Sequence, residues 1–309
     1  MRKAALLMVA VAFGVPVVRA QDEKQVDRIV VTKPTGGRAD ADGVTKLSEV
    51  VVTNSALAEE SPVGPYGQPD WTTERRFPTT RVYLQQTPWN LGFEQWVRTF
   101  WSDGDAGTHQ RIFEEFELGL PHRFQLDAYE VWTVDKNRTT AQHEWSLELR
   151  YALADWGKIP LNPTLYYEYA FAQNDADVGE AKLLLGDDLA EGWHWGANIS
   201  YEWRFGGDMS KEYMETFSIG KTIVDRKWNI GIEGLYASQS VKGERSNSAN
   251  SLEIGPSIQW RPTATTHLDI VPLIGITAAA PAVESFIVFG YDFGRVGGDD
   301  STPVSMRHR

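Results

Sequence analysis

From about residue 92 to 293 an almost unbroken series of segments alternates apolar and polar side chains. Trp195, Ala197, Ile199, Tyr201, Trp203 and Phe205 carry one phase, and Gly196, Asn198, Ser200, Glu202 and Arg204 the other. A strand points successive side chains to opposite faces, so such a segment has one apolar and one polar face. A soluble sandwich produces that pattern too. What separates the cases here is its repetition about a dozen times, with aromatics at the segment ends and no cysteine, behind an export signal.

The first twenty residues read as an export signal. Arg2 and Lys3 are followed by an apolar run over 4–18, and Val18-Arg19-Ala20 places small residues at the cleavage position. Cleavage would remove three basic residues and no acid, making the chain more acidic than its formal charge of -12. That acidity argues against nucleic acid as a partner. With no cysteine, disulfides, thiolate metal sites and a lipoprotein anchor are excluded. After the signal no run of about 18 apolar residues occurs, which excludes a helical membrane protein. A mean hydropathy of -0.36 is no objection to membrane residence, because barrel strands hide their apolar face in the alternation. Twelve Trp, eleven Tyr and thirteen Phe supply interfacial girdles. The chain therefore reads as all-β: a transmembrane antiparallel up-and-down β-barrel in the outer membrane of a Gram-negative bacterium.

The expected strands are 92–101, 110–120, 123–134, 142–153, 163–172, 180–186, 193–205, 212–223, 227–238, 250–261, 266–277 and 284–293. Tight connections (120–123, 155–162, 187–192, 224–226, 261–265) alternate with longer polar ones. Short periplasmic turns and long outer loops alternate in this way, so about twelve strands result, with ten to fourteen also compatible and both termini periplasmic. The domain reading is signal peptide 1–20, an extended periplasmic segment 21–80, barrel 81–294 and a C-terminal tail 295–309. Part of the extended segment, with Tyr66, Trp71, Arg75, Arg76 and Phe77, is a candidate for entering the barrel mouth. The short alternation at 81–86 would make an odd thirteenth strand and is placed inside the barrel or at its rim.

The final strand, Ser285-Phe286-Ile287-Val288-Phe289-Gly290-Tyr291-Asp292-Phe293, resembles the C-terminal assembly signal of bacterial outer-membrane β-barrels, which implies outer-membrane lipids and the barrel-assembly machinery as partners. Many members end at that aromatic, whereas here a tail follows. Glu49, Val50, Val51, Val52 and Thr53 resemble the TonB box of energised outer-membrane receptors, with Arg28-Ile29-Val30-Val31-Thr32 as a second copy. Such a box adds a strand to a TonB-type periplasmic protein. This chain is too short for the 22-stranded, plugged barrel of those receptors, and a valine run serves equally as plain linker.

Taking the apolar phase as lipid-facing turns Arg98, Arg111, Glu115, Glu117, Glu148, Arg150, Glu168, Glu202, Arg204, Glu233, Glu253, Arg261, His267 and Asp269 toward the lumen. Either these charges pair across strands and fill it, or they line a water-filled path that attracts cations. Eight strands are just filled by side chains and sixteen leave a channel, so twelve does not decide. On the second picture Glu148, Glu168 and Glu202 face water. The preferred reading is a narrow transport channel for small solutes, cation-preferring and TonB-linked. The alternatives are an outer-membrane lipid hydrolase, or a structural or adhesive barrel with a filled lumen. A hydrolytic Ser/His pair needs both groups on one face. His143 and Ser146 face opposite sides, His194 and Ser200 are roughly 20 Å apart along one strand, and His267 shares its face with Asp269. No catalytic residue, metal site or cofactor motif is assigned.

Overall fold

The computed structural model describes residues 57–102, 107–135 and 142–295. The signal-like residues 1–20, the valine runs at 28–32 and 49–53, and the tail from 296 lie outside them. A two-residue hairpin, β1 (Pro62–Val63) with β2 (Gln68–Pro69), precedes the main sheet. The barrel strands are β3 (Asn90–Trp101), β4 (Thr108–Leu120), β5 (Phe124–Asp135), β6 (Gln142–Ala152), β7 (Thr164–Ala172), β8 (Val178–Ala190), β9 (Trp193–Arg204), β10 (Lys211–Val224), β11 (Trp228–Ser240), β12 (Ala249–Thr263), β13 (Thr266–Gly275) and β14 (Val283–Arg295). Each is antiparallel to its neighbour in sequence, and β14 pairs back onto β3 from Val283↔Trp101 to Arg295↔Asn90. The closed ring of twelve leaves no unpaired edge, which a strand wall in lipid requires.

The alternation became the wall. Phe116, Trp145, Leu147, Phe217 and Ile232 project from the outer surface about half exposed, while Glu117, Glu148, Ser218 and Glu233 on the other phase are fully buried. Aromatic pairs mark a band at one end, with Phe124 stacked on Tyr151 at 4.6 Å and Trp228 on Trp260 at 5.7 Å. Irregular registers at Asp188/Ala190, Thr222/Val224, Trp260/Thr263 and Asp292/Gly294 lie at that same end, as bulges do at barrel rims. The largest difference from expectation is β8, which extends well past 180–186. Its Leu183-Leu184-Leu185 run carries no alternation from which a boundary could be read.

The connections 121–123, 191–192, 225–227 and 264–265 are tight, and His122, Arg123, Gly192 and Arg226 take the positive φ such turns need. The connection 153–163 lies at the same end but is not tight, so length does not alternate strictly. It is long because it packs beneath an inserted segment: Trp156 donates its backbone N–H to Tyr66 O at 3.0 Å, and its ring meets Trp71 and Tyr83 edge-on.

That inserted segment, residues 57–89, folds inside the barrel at the short-turn end. Trp71, Phe77, Tyr83 and Leu84 are at most 1% exposed, and burying each contributes about 1.5–3 kcal/mol. Inner glycines make room for it. A Cβ on Gly196 would lie 2.6 Å from Val82, and one on Gly119 2.0 Å from Thr87 O.

Candidate functional site

Apart from the β1–β2 hairpin, the inserted segment has no ladder partner among the described residues, yet irregular backbone at membrane depth must still be satisfied. Inner-wall side chains do this. Asn198 accepts from Arg81 N–H (2.8 Å) and donates to Arg81 O (2.7 Å). Gln125 Oε1 accepts from the N–H groups of Gln85 and Gln86, Glu233 from that of Thr79, and Gln259 donates to Arg75 O. Residues 81–86 thus alternate without forming a strand, because polar side chains of the wall substitute for a neighbouring backbone.

Charges lock the same segment. Arg75 reaches Glu94 (2.5 Å), Glu117 (2.9 Å) and Glu115 (3.5 Å), with its guanidinium 4.4 Å from the Trp96 ring centre. Arg81 binds Glu115 at 3.0 Å and lies 3.6 Å from Glu148. Arg76 pairs with Glu59 at 3.0 Å, and Glu74 with Arg261 of the wall. Arg150 adds a wall-borne cation between Asp127 and Glu148.

These locks meet a feature of the register. Glu117, Asp127, Glu148, Glu168, Glu180, Glu202 and Glu212 stand directly opposite one another on the seven consecutive strands β4 to β10. Strands of a barrel tilt, so a row across them climbs as it turns. This one rises from the short-turn end at Glu117 to the long-loop end at Glu212. Like charges directly opposite destabilise a sheet. Arg75, Arg81 and Arg150 compensate the lower steps, and Lys182 holds Glu180 at 2.8 Å. At the top, Glu202 and Glu212 have no ion pair within 4 Å among the described residues.

Above the inserted segment a cavity of 520 Å³ opens toward the long loops. Pro78, Thr79 and Arg81 form its floor, and Glu168, Glu180, Glu202 and Glu212 one wall. The facing wall differs from expectation. Trp96, Phe113, Leu235 and Phe286 point inward and cluster with Val271, Leu273 and Val288, although apolar alternates were expected to face lipid. Phe286 and Val288 lie in a stretch apolar at consecutive positions, Phe286-Ile287-Val288-Phe289, where alternation names no face, whereas Trp96, Phe113 and Leu235 stand two residues from Arg98, Glu115 and Glu233 and share their inward phase. Below the floor, two further cavities around the segment measure 20 and 10 Å³.

The expected lumen residues lie on the inner face, but they divide by height. Arg98, Arg111, Glu168, Glu202 and Arg204 line the upper cavity. Glu115 lies at its floor beside Arg81. Glu117, Glu148, Arg150, Glu233, Arg261 and Asp269 are packed below or around the segment, and Glu253 is buried in the wall. Glu148 therefore does not face water as Glu168 and Glu202 do: it is 0% exposed between Arg81 and Arg150. The filled picture describes the lower lumen and the water-filled picture the upper. In the loop beside the mouth, the Arg204 guanidinium donating to Asp175 at 2.8 Å holds that carboxyl below the usual range.

Two of the histidines pack against the inserted segment and the inner wall. His194 stacks on Trp71 at 4.5 Å, and His267 lies between Asp269 (2.5 Å) and Glu94 (3.4 Å), two carboxylates rather than a hydroxyl. The residues that sequence reasoning missed are the floor (Thr79, Arg81), the ladder's upper end (Glu180, Glu212) and the inward apolar wall.

Residues 183–283 match a family model described as "Putative MetA-pathway of phenol degradation". No curated protein matches the chain. Among solved structures, an outer-membrane channel from Pseudomonas putida F1 is similar with a TM-score of 0.50 and 10% identity, over 68% of this chain and 98% of that one. A KdgM porin in complex with disordered oligogalacturonate has a TM-score of 0.45 at 8% identity, over 66% and 99%. LpxR from Salmonella typhimurium has 0.41 at 10% identity, over 65% and 99%. What this chain shares with the first of them is the fold, a closed antiparallel β-barrel of the outer-membrane type.

Proposed function

We propose that the protein is an outer-membrane channel for small solutes, cation-preferring, with its short-turn end and both termini in the periplasm and the upper cavity open to the outside. The observation that carries this reading is the division of the lumen: a polar vestibule above a segment pinned by ion pairs. A wholly packed interior would suit a structural barrel, and an empty one a wide pore. The family match over 183–283 and the shared fold with an outer-membrane channel agree with transport. Cation preference follows from carboxylates focused in a low-dielectric wall, where the ladder's upper acids exceed their partners.

Purified protein in a planar bilayer should show small, discrete openings whose reversal potential in a salt gradient favours cations. The triple variant Glu168→Gln, Glu202→Gln, Glu212→Gln should cut that preference severalfold while folding normally, since lumen substitutions tune selectivity more than stability. Silence from folded protein would remove the channel reading.

TonB linkage is the finer part of the proposal, and residues 49–53 lie outside the described residues. Its support is the β-branched run itself, ahead of the chain that enters the barrel at Leu57. Proline removes the N–H needed for strand addition, so Val51→Pro should abolish energised uptake and spare passive conductance. A peptide covering residues 47–54 should bind a TonB C-terminal domain, and no binding at high micromolar peptide leaves the run a linker.

A further inference from the structure

The vestibule is lined asymmetrically. In a closed ring of twelve, β9 lies six strands from β3 and β10 six from β4. The acidic wall of Glu202 and Glu212 therefore looks across the lumen at Trp96 and Phe113, and all four line one cavity. A cavity of 520 Å³ is within the size of small-molecule sites, which combine apolar walls with a few convergent polar groups. The polar groups here do not cancel. Arg98 is engaged by Glu284 and by the rings of Phe100 and Phe286, and Arg111 by Glu144 and the Phe113 ring. Lys182 is engaged by Glu180 and lies over Tyr166. Glu202 and Glu212 have no ion pair within 4 Å among the described residues. Glu180, 8% exposed, lines the cavity with its Oε1 lacking a hydrogen-bond donor among the described residues. The cations of this chamber are spent, and acceptors remain.

Building on the channel reading, we infer that the vestibule is a binding site for small organic monocations with an apolar ring, the ammonium held by Glu202, Glu212 and the free oxygen of Glu180, and the ring laid against Phe113 and Trp96. An anionic aromatic would meet arginines already paired and carboxylates that repel it. A bare inorganic cation would use the acids and leave the apolar wall wet. Only an amphipathic cation satisfies both walls.

Equilibrium binding to the full-length protein, folded in detergent, tests this with benzylammonium, methylammonium, benzyl alcohol and benzoate as probes. Benzylammonium should bind roughly tenfold or more tighter than methylammonium or benzyl alcohol, with benzoate weakest, because it alone gains both a charged contact and ring burial. Glu202→Gln with Glu212→Gln should lower benzylammonium affinity roughly tenfold and leave benzyl alcohol unchanged. Phe113→Ala should reduce the advantage over methylammonium. Each variant's fold is checked by heat-modifiable migration, and the probe ranking on the unaltered protein stands even where a variant does not fold. Benzoate binding as well as benzylammonium, methylammonium binding equally, or no saturable binding at all would overturn the inference. The bilayer conductance of the same preparation, measured in salt alone, judges the channel reading separately. A conducting protein that binds no probe sinks only the site, and a silent one that binds benzylammonium sinks only the channel.

Discussion

Alanine at Arg75 and Arg81 together should free residues 57–89 from the wall and raise single-channel conductance severalfold, with a steeper cation preference. The two guanidiniums serve Glu94, Glu115, Glu117 and Glu148, all nearly or wholly inaccessible. Removing one partner of a buried pair costs about 3–5 kcal/mol, because the other charge stays behind uncompensated. Here two cations leave several carboxylates crowded along the lower ladder. Apolar burial opposes release, at about 1.5–3 kcal/mol for each of Trp71, Phe77 and Leu84. The electrostatic term prevails for a specific reason: water entering the lower lumen relieves every carboxylate at once, and the segment obstructs that water. Faster tryptic cleavage after Arg76 in folded barrels would report release independently of current. Lysine at both positions keeps the charge but loses the fork that binds two carboxylates together, so conductance should rise less. If the folded double-alanine variant conducts like the parent, the segment is held by apolar packing and the Asn198, Gln125 and Glu233 contacts alone, and the ionic lock is wrong.

The same ladder shows how far the residues could be read without coordinates. Strand positions were legible because lipid outside and water inside impose a period of two, visible within most of the strands taken singly. The pairing of Glu117 with Asp127 was close to legible, since the tight turn 121–123 sets the register of its hairpin. Glu148 opposite Glu168 was not, because the connection 153–163 is long enough to permit several registers. The inward face of Phe286 was hidden for another reason: both phases are apolar over 286–289, so the pattern assigns neither. The floor depends on contacts such as Arg81 with Asn198, remote in sequence and side chain to backbone, which periodicity does not record.

Deleting residues 283–309 should abolish membrane assembly, whereas deleting 297–309 should leave a heat-modifiable barrel. The first truncation removes β14, whose backbone pairs with β13 from Thr266↔Tyr291 to Ile274↔Val283 and with β3 along its whole length. Without it two strands present unpaired N–H and C=O groups to hydrocarbon, each costing several kcal/mol. No rearrangement inside the lumen can repay this, since the inserted segment satisfies its own backbone through side chains of other strands. The ring could close only by joining β3 to β13. That would place Arg98 without Glu284 and break the apolar cluster of Phe286 and Val288 with Trp96. The second truncation leaves β14 whole to Arg295 and removes none of the ladder. Migration of unheated samples, with protease resistance of the membrane fraction, separates the outcomes. A heat-modifiable barrel from the longer deletion would mean that β14 is not the closing strand, and that the twelve-strand ring is not the state that assembles.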